Sequence, residues 1–451
     1  MPGYLVRATL IIAFVQFINA LEYMIFNPLF TWMAPTFQVP VSQAGYVTGI
    51  YTLASVISGI GVWRWVGQLK PRRFLLCNMA LLGGLTAMTL TTTRFDVLLF
   101  WRFLAGVVGG TTMGVASSLL VNIMPPQLRP RALASTIAAF SLVSIVGMPT
   151  MLFLSEKIGW QSAPATIGGL CIIALPLIVL ALPEQSIEAS PQAGLRWSSS
   201  LLFHASGNAL AQFSPMLIIP LLVPLLTTKL GASGDELPWL FFAGGAAGLC
   251  ATKLTGRLCQ RYSGYRISLL GSLLFILSLS IAFIFNHGGA LFMLLFLAAA
   301  YCRLVASSAV AMRFPADSAR AGFTLLQNTL MSLSTAAAFL LSSWLLSVDG
   351  GGERAMQGIL LLCALSALPL PWLVRGLEST AGSGEKISHA RRRLTRRRLA
   401  SNILQADPAG FRTKDTHRQH HHQHAGDDKA NHPWGSGVLQ NNADQNAGDR
   451  R

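Results

Sequence analysis

Residues 8–32, ATLIIAFVQFINALEYMIFNPLFTW, form a long apolar segment with a single carboxylate, Glu22, near its middle. About 20 apolar residues suffice to cross the hydrocarbon core of a bilayer. An acid at that depth costs about 3 kcal/mol on insertion scales, so it usually faces a protein-lined cavity where it titrates or binds a ligand. The segment therefore predicts a membrane-spanning helix with a functional site at mid-depth.

The rest of the chain has the same apolar character. It has 451 residues, of which 52% are hydrophobic and 12% charged, and its mean hydropathy is +0.51. A soluble protein of this length needs more charge to cover its surface. We expect an all-α polytopic membrane protein with twelve spans, at residues 8–32, 44–64, 74–93, 97–123, 132–154, 162–182, 200–227, 238–255, 267–285, 289–312, 323–347 and 356–374.

The net charge of +16 does not indicate nucleic-acid binding. Much of it lies in short connections that fall on one side of the predicted topology, as the positive-inside rule requires. No basic and aromatic platform of the kind that binds single strands is present. The expected partners are the lipid bilayer and a small molecule, and both termini are expected in the cytoplasm.

The polar stretch at 183–199 divides the chain into two halves of six spans. We expect an N-terminal bundle at 1–182, a central cytoplasmic linker at 183–199, a C-terminal bundle at 200–377 and a disordered cytoplasmic tail at 378–451. The tail is rich in Arg and His, and its run at His420–His422 offers metal ligands without a fold to hold them. We expect no metal site and no cofactor.

Each half has a basic connection between its second and third spans, RWVGQLKPRRFLL at 64–76 and GRLCQRYSGYRISLL at 256–270. Span 4 contains the motif Arg102-x-x-x-Gly106-x-x-Gly109-Gly110, and span 5 contains Gly147-Met148-Pro149. With these motifs, residues 8–375 resemble the major facilitator superfamily, specifically its twelve-span drug:proton antiporter branch. The family's basic loop carries an acid that this chain lacks, since Gly67 and Gln260 stand in its place.

The resemblance implies two six-helix bundles that rock about a central cavity, in the cytoplasmic membrane of a bacterium, in a protein expected to act as a monomer. Gating roles are implied for residues of the basic connections and of spans 4 and 5, namely Arg72, Arg73, Arg261, Gly106, Gly110, Gly147 and Pro149. The glycines have a simpler interpretation as well, because small residues let helices pack closely.

Polar residues form stripes on spans 1 and 7. Glu22 is predicted to exchange a proton, and the alternative is a structural acid that ties span 1 to a neighbour. Span 7 is the counterpart of span 1, so the two stripes are expected to line a shared substrate cavity, with hydrogen bonding between helices as the alternative. The candidate cavity residues on these spans are Gln16, Asn19, Tyr23, Asn27, His204, Asn208 and Gln212.

Two arginines lie within spans, Arg102 in span 4 and Arg303 in span 10. The family resemblance implies a role for Arg102 in proton handling or gating, and we expect it to line the cavity with Arg303. The alternative is a side chain that snorkels to the interface. Together with Glu22 they make the membrane interior net positive, which favours an anionic or zwitterionic solute. The resemblance to the antiporter branch implies export, although the sequence itself does not fix the direction. With it, we expect proton-coupled efflux of a small polar or anionic metabolite, such as a siderophore or a drug-like compound, because siderophore exporters resemble this branch too.

Two alternatives stay open. A proton symporter that takes up a sugar or an organic acid shares every feature except direction, and a receptor or assembly protein without transport fits the missing loop acids. An enzyme is not expected, because no catalytic constellation or phosphate-binding loop occurs in the spans.

Overall fold

We describe a computed structural model of the chain, which covers residues 3–63, 70–125, 128, 139, 141–184, 199–312, 320–348, 350 and 352–379. Most of the predicted linker, nearly all of the tail and the first part of the predicted fifth span lie outside the described residues.

The described chain is almost entirely helical. Its helices are α1 Gly3–Met33, α2 Ala44–Trp63, α3 Pro71–Thr91, α4 Phe95–Ile123, α5 Met148–Ile158, α6 Ser162–Ala181, α7 Ser199–Ile218, α8 Leu237–Leu258, α9 Gly264–Ile284, α10 Gly289–Ala311, α11 Arg320–Val348 and α12 Glu353–Ala367. Helical turns continue α7 as far as Lys229 and α12 as far as Ser379.

Eleven helical segments in the described part of the chain are long and apolar enough to cross a membrane. They coincide with eleven of the twelve predicted spans, and α5 is the described end of the remaining one. The all-α polytopic fold is therefore confirmed. The first and last spans are longer than predicted. The first helix, α1, begins at Gly3 rather than at residue 8, and the last span runs to Ser379 rather than to residue 374.

Most helix packing occurs inside each predicted half. In the first half α1 packs on α4 and α6, and α2 packs on α4; in the second half α7 packs on α10, α11 and α12, and α10 packs on α8 and α9. The described helices belong to one compact unit. The division into two bundles with a linker at 183–199 stays a prediction.

The helices of the two halves also touch, mainly through α2 with α11 and through α5 with α8. The hydrogen bonds and the closest contacts between these helices lie toward one end of the bundle, the end at which α1 connects to α2. We call this end the closed end; the predicted topology assigns it to the outer face of the membrane.

Two helices change their winding where prolines interrupt the backbone hydrogen bonds. A π-helical turn at Val143–Gly147 precedes Met148 and Pro149, and a second one at Leu225–Lys229 follows Pro224. Proline has no N–H to donate, so a wider turn is one way to accommodate it. Both interruptions lie in helices that contact the other half.

Candidate functional site

Glu22 of α1 and Arg102 of α4 form an ion pair inside the first half. Arg102 Nη1 donates a hydrogen bond to Glu22 Oε1, and the two side chains are 0% and 1% exposed. Arg102 lies about two turns from the start of α4, and its guanidinium is turned toward Glu22 inside the helix bundle rather than toward the surface. This burial does not support the snorkelling alternative. Both residues stood out in the sequence, but their pairing was not predicted.

Aromatic rings enclose the guanidinium of Arg102. Its central carbon lies 3.9 Å from the ring centroid of Phe26 and 4.6 Å from that of Tyr51, within the range of cation–π attraction. Tyr23 packs its ring 5.5 Å from that of Tyr51. Arg102 Nε and Nη2 have no hydrogen-bond partner in the described structure. The pair is therefore buried, and the described residues satisfy only part of its hydrogen-bonding capacity.

The glycines of the span 4 motif bring α2 against α4. A side chain at Gly106 would collide with the carbonyl of Tyr51, and one at Gly110 would collide with that of Ser55. Gly109 leaves room for the Tyr51 hydroxyl. Close packing, the simpler interpretation of these glycines, thus has a direct structural basis, and the same packing holds Tyr51 beside the ion pair.

Gly147, in the π-helical turn before α5, packs against the side chain of Leu21, next to Glu22 along α1. Pro149 follows at the start of α5. The region with altered helix winding thus borders the helix that carries the buried acid. Gating roles for Gly106, Gly110, Gly147 and Pro149 stay predictions.

The polar stripe of α1 runs along α4. Gln16 Nε2 donates to Met113 O and Ser117 Oγ at 3.2 and 3.3 Å, and Asn19 Nδ2 donates to Gly109 O at 3.2 Å. Tyr23 is half-buried against Tyr51, and Asn27 is buried with its side-chain oxygen unbonded.

The polar stripe of α7 also bonds within its own half. Asn208 Nδ2 donates to Ser308 Oγ of α10 at 2.8 Å, His204 Nδ1 lies 2.7 Å from Ser200 O, and Gln212 is half-buried. No hydrogen bond among the described residues joins this stripe to that of α1. Hydrogen bonding between helices, the alternative, therefore accounts for Gln16, Asn19 and Asn208, and the lining of a shared cavity stays a prediction.

Arg303 is buried in the second half and has no carboxylate partner among the described residues. Its side chain is 0% exposed, and its Nη2 donates only a long hydrogen bond of 3.4 Å to Ser214 Oγ. The guanidinium lies 4.5 Å from the ring centroid of Phe275. With Arg102 matched by Glu22, Arg303 alone makes the described interior positive.

In each half, an acidic residue that follows the sixth span contacts the start of the third span. Glu184 Oε1 pairs with Arg73 Nη2 at 2.6 Å, at the start of α3. Glu378 accepts hydrogen bonds from Ser263 Oγ at 2.7 Å and from the backbone N–H groups of Gly264 and Tyr265, at the start of α9. The basic connections therefore have acidic partners although the family's loop acid is absent.

The other basic residues predicted to gate behave differently. Arg72 is half-buried beside Arg73, and Arg261 is exposed in the turn between α8 and α9. No ion pair of either residue occurs in the described structure. Their gating role stays a prediction.

The closed end combines buried and exposed contacts between the halves. Gly45 N of α2 donates to Ser343 Oγ of α11 at 2.8 Å, and Gly245 of α8 packs on Ser144. At the surface, Lys157 Nζ lies 3.1 Å from Asp235 Oδ1, and this hydrogen bond raises the pKa of Lys157 above its usual value. Such an exposed pair adds little stability, so the buried contacts hold this end together.

Three residues of these contacts were not predicted from the sequence, namely Tyr51, Glu184 and Glu378. A signal for the two acids was present, because each follows the sixth span of its half, in LPE at 182–184 and in LES at 377–379. No feature of the sequence indicated Tyr51, because its place beside the ion pair depends on how closely α2 approaches α4. Across the described ranges, no group of His, Cys, Asp and Glu is arranged to hold a metal ion.

Comparison with known proteins agrees with this architecture. A family model described as Major Facilitator Superfamily matches residues 12–205. A chloramphenicol efflux pump of Mycobacterium tuberculosis is 25% identical over 239 residues, which cover 51% of this chain and 57% of the pump. The purine ribonucleoside efflux pump NepI of Escherichia coli O157:H7 is 25% identical over 266 residues, 56% of this chain and 64% of that protein. The chain thus matches less than two thirds of the length of each pump.

The fold matches over a longer range. A bacterial homolog of the human lysosomal transporter Spinster, in an inward-facing and unoccupied conformation, superposes with a TM-score of 0.69 at 14% identity, over 85% of this chain and 98% of that one. At this identity the match concerns the fold alone. Proteins of such a family are transporters rather than enzymes, in agreement with the expectation for this chain. From the motifs, the family model that matches its first half and the shared fold, the chain is similar to the major facilitator superfamily and to its drug and metabolite efflux pumps.

Proposed function

We propose that the chain is a secondary transporter that exports a small polar solute across the cytoplasmic membrane of a bacterium in exchange for protons. The observation that supports this proposal most is the ion pair of Glu22 and Arg102, because a fully buried acid has this cation as its only charged partner among the described residues. Efflux is the direction suggested by the names of the two pumps that the chain resembles.

Protonation of Glu22 is the proposed coupling step. A neutral carboxyl no longer balances the charge of Arg102, and a buried charge without its partner is costly. That cost favours a conformation in which water or a polar group of the solute reaches Arg102. The proton enters from the outer side when the closed end opens, and it leaves Glu22 when the solute site opens to the cytoplasm.

The surroundings of the pair suit such a step. Gly106 and Gly110 let α2 and α4 touch closely, and interfaces of small residues allow helices to slide. The π-helical turn ending at Gly147 gives the fifth span a point at which its winding can change. Movement of these helices would alter the contacts of Tyr51 with Arg102, and so link gating to protonation.

For the solute, we propose a neutral or zwitterionic polar compound of drug or nucleoside size. The two efflux pumps act, by their names, on chloramphenicol and on purine ribonucleosides. An anionic metabolite such as a siderophore is the second candidate, and Arg303 favours it. Its support is weaker than the sequence suggested, because Arg102 already has Glu22 as its counter-charge.

The experiment uses inside-out membrane vesicles that contain the chain, energised to acidify their lumen. Chloramphenicol and a panel of purine ribonucleosides are offered outside, and their uptake into the lumen is measured. The proposal predicts accumulation of at least one compound that collapses when the proton gradient is dissipated. Accumulation driven by an opposite gradient would indicate the uptake alternative.

Vesicles with the Asp96→Asn variant serve as the matched control for Glu22→Gln. Asp96 is an acid on the same helix as Arg102, but it is exposed and pairs only with Arg94. Normal accumulation with Asp96→Asn and none with Glu22→Gln is the expected result. An absence of flux for every solute, including organic acids and siderophores, would favour the receptor or assembly alternative.

A further inference from the structure

We propose that Arg303 and the polar groups beside it bind a small monovalent anion within the second half of the protein. The ligand is either a free halide ion or the carboxylate group of a small molecule, and either would bind at the same place beside Arg303. This inference concerns the folded second half and does not depend on whether the chain transports a solute.

The guanidinium of Arg303 has unused hydrogen-bonding capacity. Arg303 is fully buried, and its Nε and Nη1 have no hydrogen-bond partner. Its one hydrogen bond, to Ser214 Oγ, is long at 3.4 Å. Buried N–H groups without partners are rare in proteins, and a charged group in that state carries a large desolvation cost.

Charge balance leads to the same conclusion. The other buried arginine, Arg102, has Glu22 as its counter-ion. The acids of the second half, within the described ranges, are Asp235, Glu236, Glu353 and Glu378, and all lie at helix ends. None of them pairs with Arg303, whose guanidinium lies against the Phe275 ring. A buried charge needs a partner, and the described residues supply no counter-charge here.

The residues around Arg303 have the chemistry of an anion site. The Ser214 hydroxyl lies beside the guanidinium, and the Ser366 hydroxyl lies 3.1 Å beyond it, so hydroxyl protons at this cluster can turn toward an anion. Gly271 of α9 packs directly on Arg303 Cγ and fixes the side chain in place. The Phe275 ring attracts the guanidinium through its face.

The helices around the cluster pack closely, since a side chain at Gly271 would lie 3.1 Å from both Arg303 Cγ and Cys302 Sγ. A bulky anion does not fit there. The proposed ligand is for this reason a halide, or a group no larger than a carboxylate.

The experiment measures thermal unfolding of the purified, full-length protein in detergent at constant ionic strength. Sodium gluconate is replaced stepwise by sodium chloride, bromide or acetate, and unfolding is followed by tryptophan fluorescence. A ligand that binds only the folded state raises the melting temperature with the logarithm of its concentration. We expect this rise for the wild type, with chloride and bromide if the ligand is a halide and with acetate if it is a carboxylate.

Three variants separate a specific site from general effects of salt. Arg303→Gln should lose the response, Arg303→Lys should keep it at higher anion concentrations, and Arg354→Gln, which removes an exposed arginine of the same half, should respond like the wild type. If Arg303→Gln does not fold, Ser214→Ala replaces it and should need several-fold more anion for the same rise.

The inference is overturned if the wild type gives one melting temperature in all four salts. It is equally overturned if Arg303→Gln, or Ser214→Ala in its place, responds to each anion as the wild type does. Bromide offers a direct readout, because its anomalous scattering in crystals should place an ion in contact with Nε or Nη1 of Arg303. Bromide sites confined to the protein surface would contradict the proposal.

Discussion

The carboxylate of Glu22 accepts a hydrogen bond from the guanidinium of Arg102 at a position where neither side chain reaches solvent. The two residues are separated by about 80 positions in the chain, and α1 and α4 bring them together. Among the described residues there is therefore one buried ion pair whose charges balance and, in the other half, one buried arginine whose charge is not balanced.

Removal of one member of this pair should be costly, and removal of both should cost much less. Glu22→Gln or Arg102→Met leaves a buried charge without its partner, which destabilises proteins by about 3–5 kcal/mol. The double variant leaves no uncompensated charge and should recover most of that stability. Thermal unfolding of the three variants in detergent tests this. If the double variant loses as much stability as the two single variants combined, the two residues are not coupled energetically.

The exposed pair of Arg94 and Asp96 is the control for that cycle. Its members lie at the start of α4 and are open to solvent. Solvent screens such a pair, so its removal should leave the melting temperature unchanged. A large drop in melting temperature for Asp96→Asn would mean that acids on this helix contribute to stability for reasons other than burial.

Gly106 should not tolerate a larger residue. A side chain there meets the Tyr51 carbonyl, whereas nothing lies within 4 Å of the corresponding position at Gly114 on the same helix. We expect Gly106→Val to destabilise the protein by about 1–3 kcal/mol through overpacking. Gly114→Val should leave stability nearly unchanged. Detergent melting curves of both variants give the comparison, and equal effects would contradict the close packing of α2 on α4.

Locking the closed end should stop transport. The Cβ of a residue at Gly49 would lie 3.4 Å from Phe339 Cβ in the other half, near the spacing that a disulfide requires. The paired variant Gly49→Cys and Phe339→Cys, with the exposed Cys77 and Cys250 replaced by Ser, should cross-link on oxidation and lose flux. Reduction should restore flux, and each single cysteine variant should be insensitive to oxidant. Full flux in the cross-linked protein would show that this end need not open.

Glu378 should stabilise the second half by capping α9. It accepts hydrogen bonds from the backbone N–H groups of Gly264 and Tyr265, which have no partner within the helix. Glu378→Ala should therefore cost about 1 kcal/mol, as the loss of a helix cap does. Glu378→Gln keeps an acceptor oxygen and should lose less, and the two variants can be compared by denaturant unfolding. Equal and negligible losses would rule out the capping role.

The sequence predicted the fold well because membrane spans follow from local composition. Length and hydropathy were sufficient to locate the helices, and Glu22 and Arg102 stood out because charges are rare in such helices. The partners of these residues were not predictable in the same way. The pairing of Glu22 with Arg102 depends on the packing of α1 on α4, and one sequence carries little information about such distant contacts.

The polar stripes show the same limit. Their helical spacing was correct, and it indicated that Gln16, Asn19 and Asn208 share faces of their helices. Spacing alone cannot distinguish a face that lines a cavity from one that binds a neighbouring helix. Their described hydrogen bonds are to α4 and α10. The absence of a partner for Arg303 was equally invisible in the sequence, because it required knowledge of every side chain around it.

The most direct test of the account compares gradient-driven flux with exchange in the Glu22→Gln variant. Proteoliposomes are loaded with a solute that the wild type transports, and labelled solute is followed with and without an imposed pH gradient. The account predicts that Glu22→Gln still exchanges labelled for unlabelled solute but no longer responds to the gradient, since it has no carboxylate to protonate. Gradient-driven flux equal to that of the wild type would contradict the coupling role of Glu22.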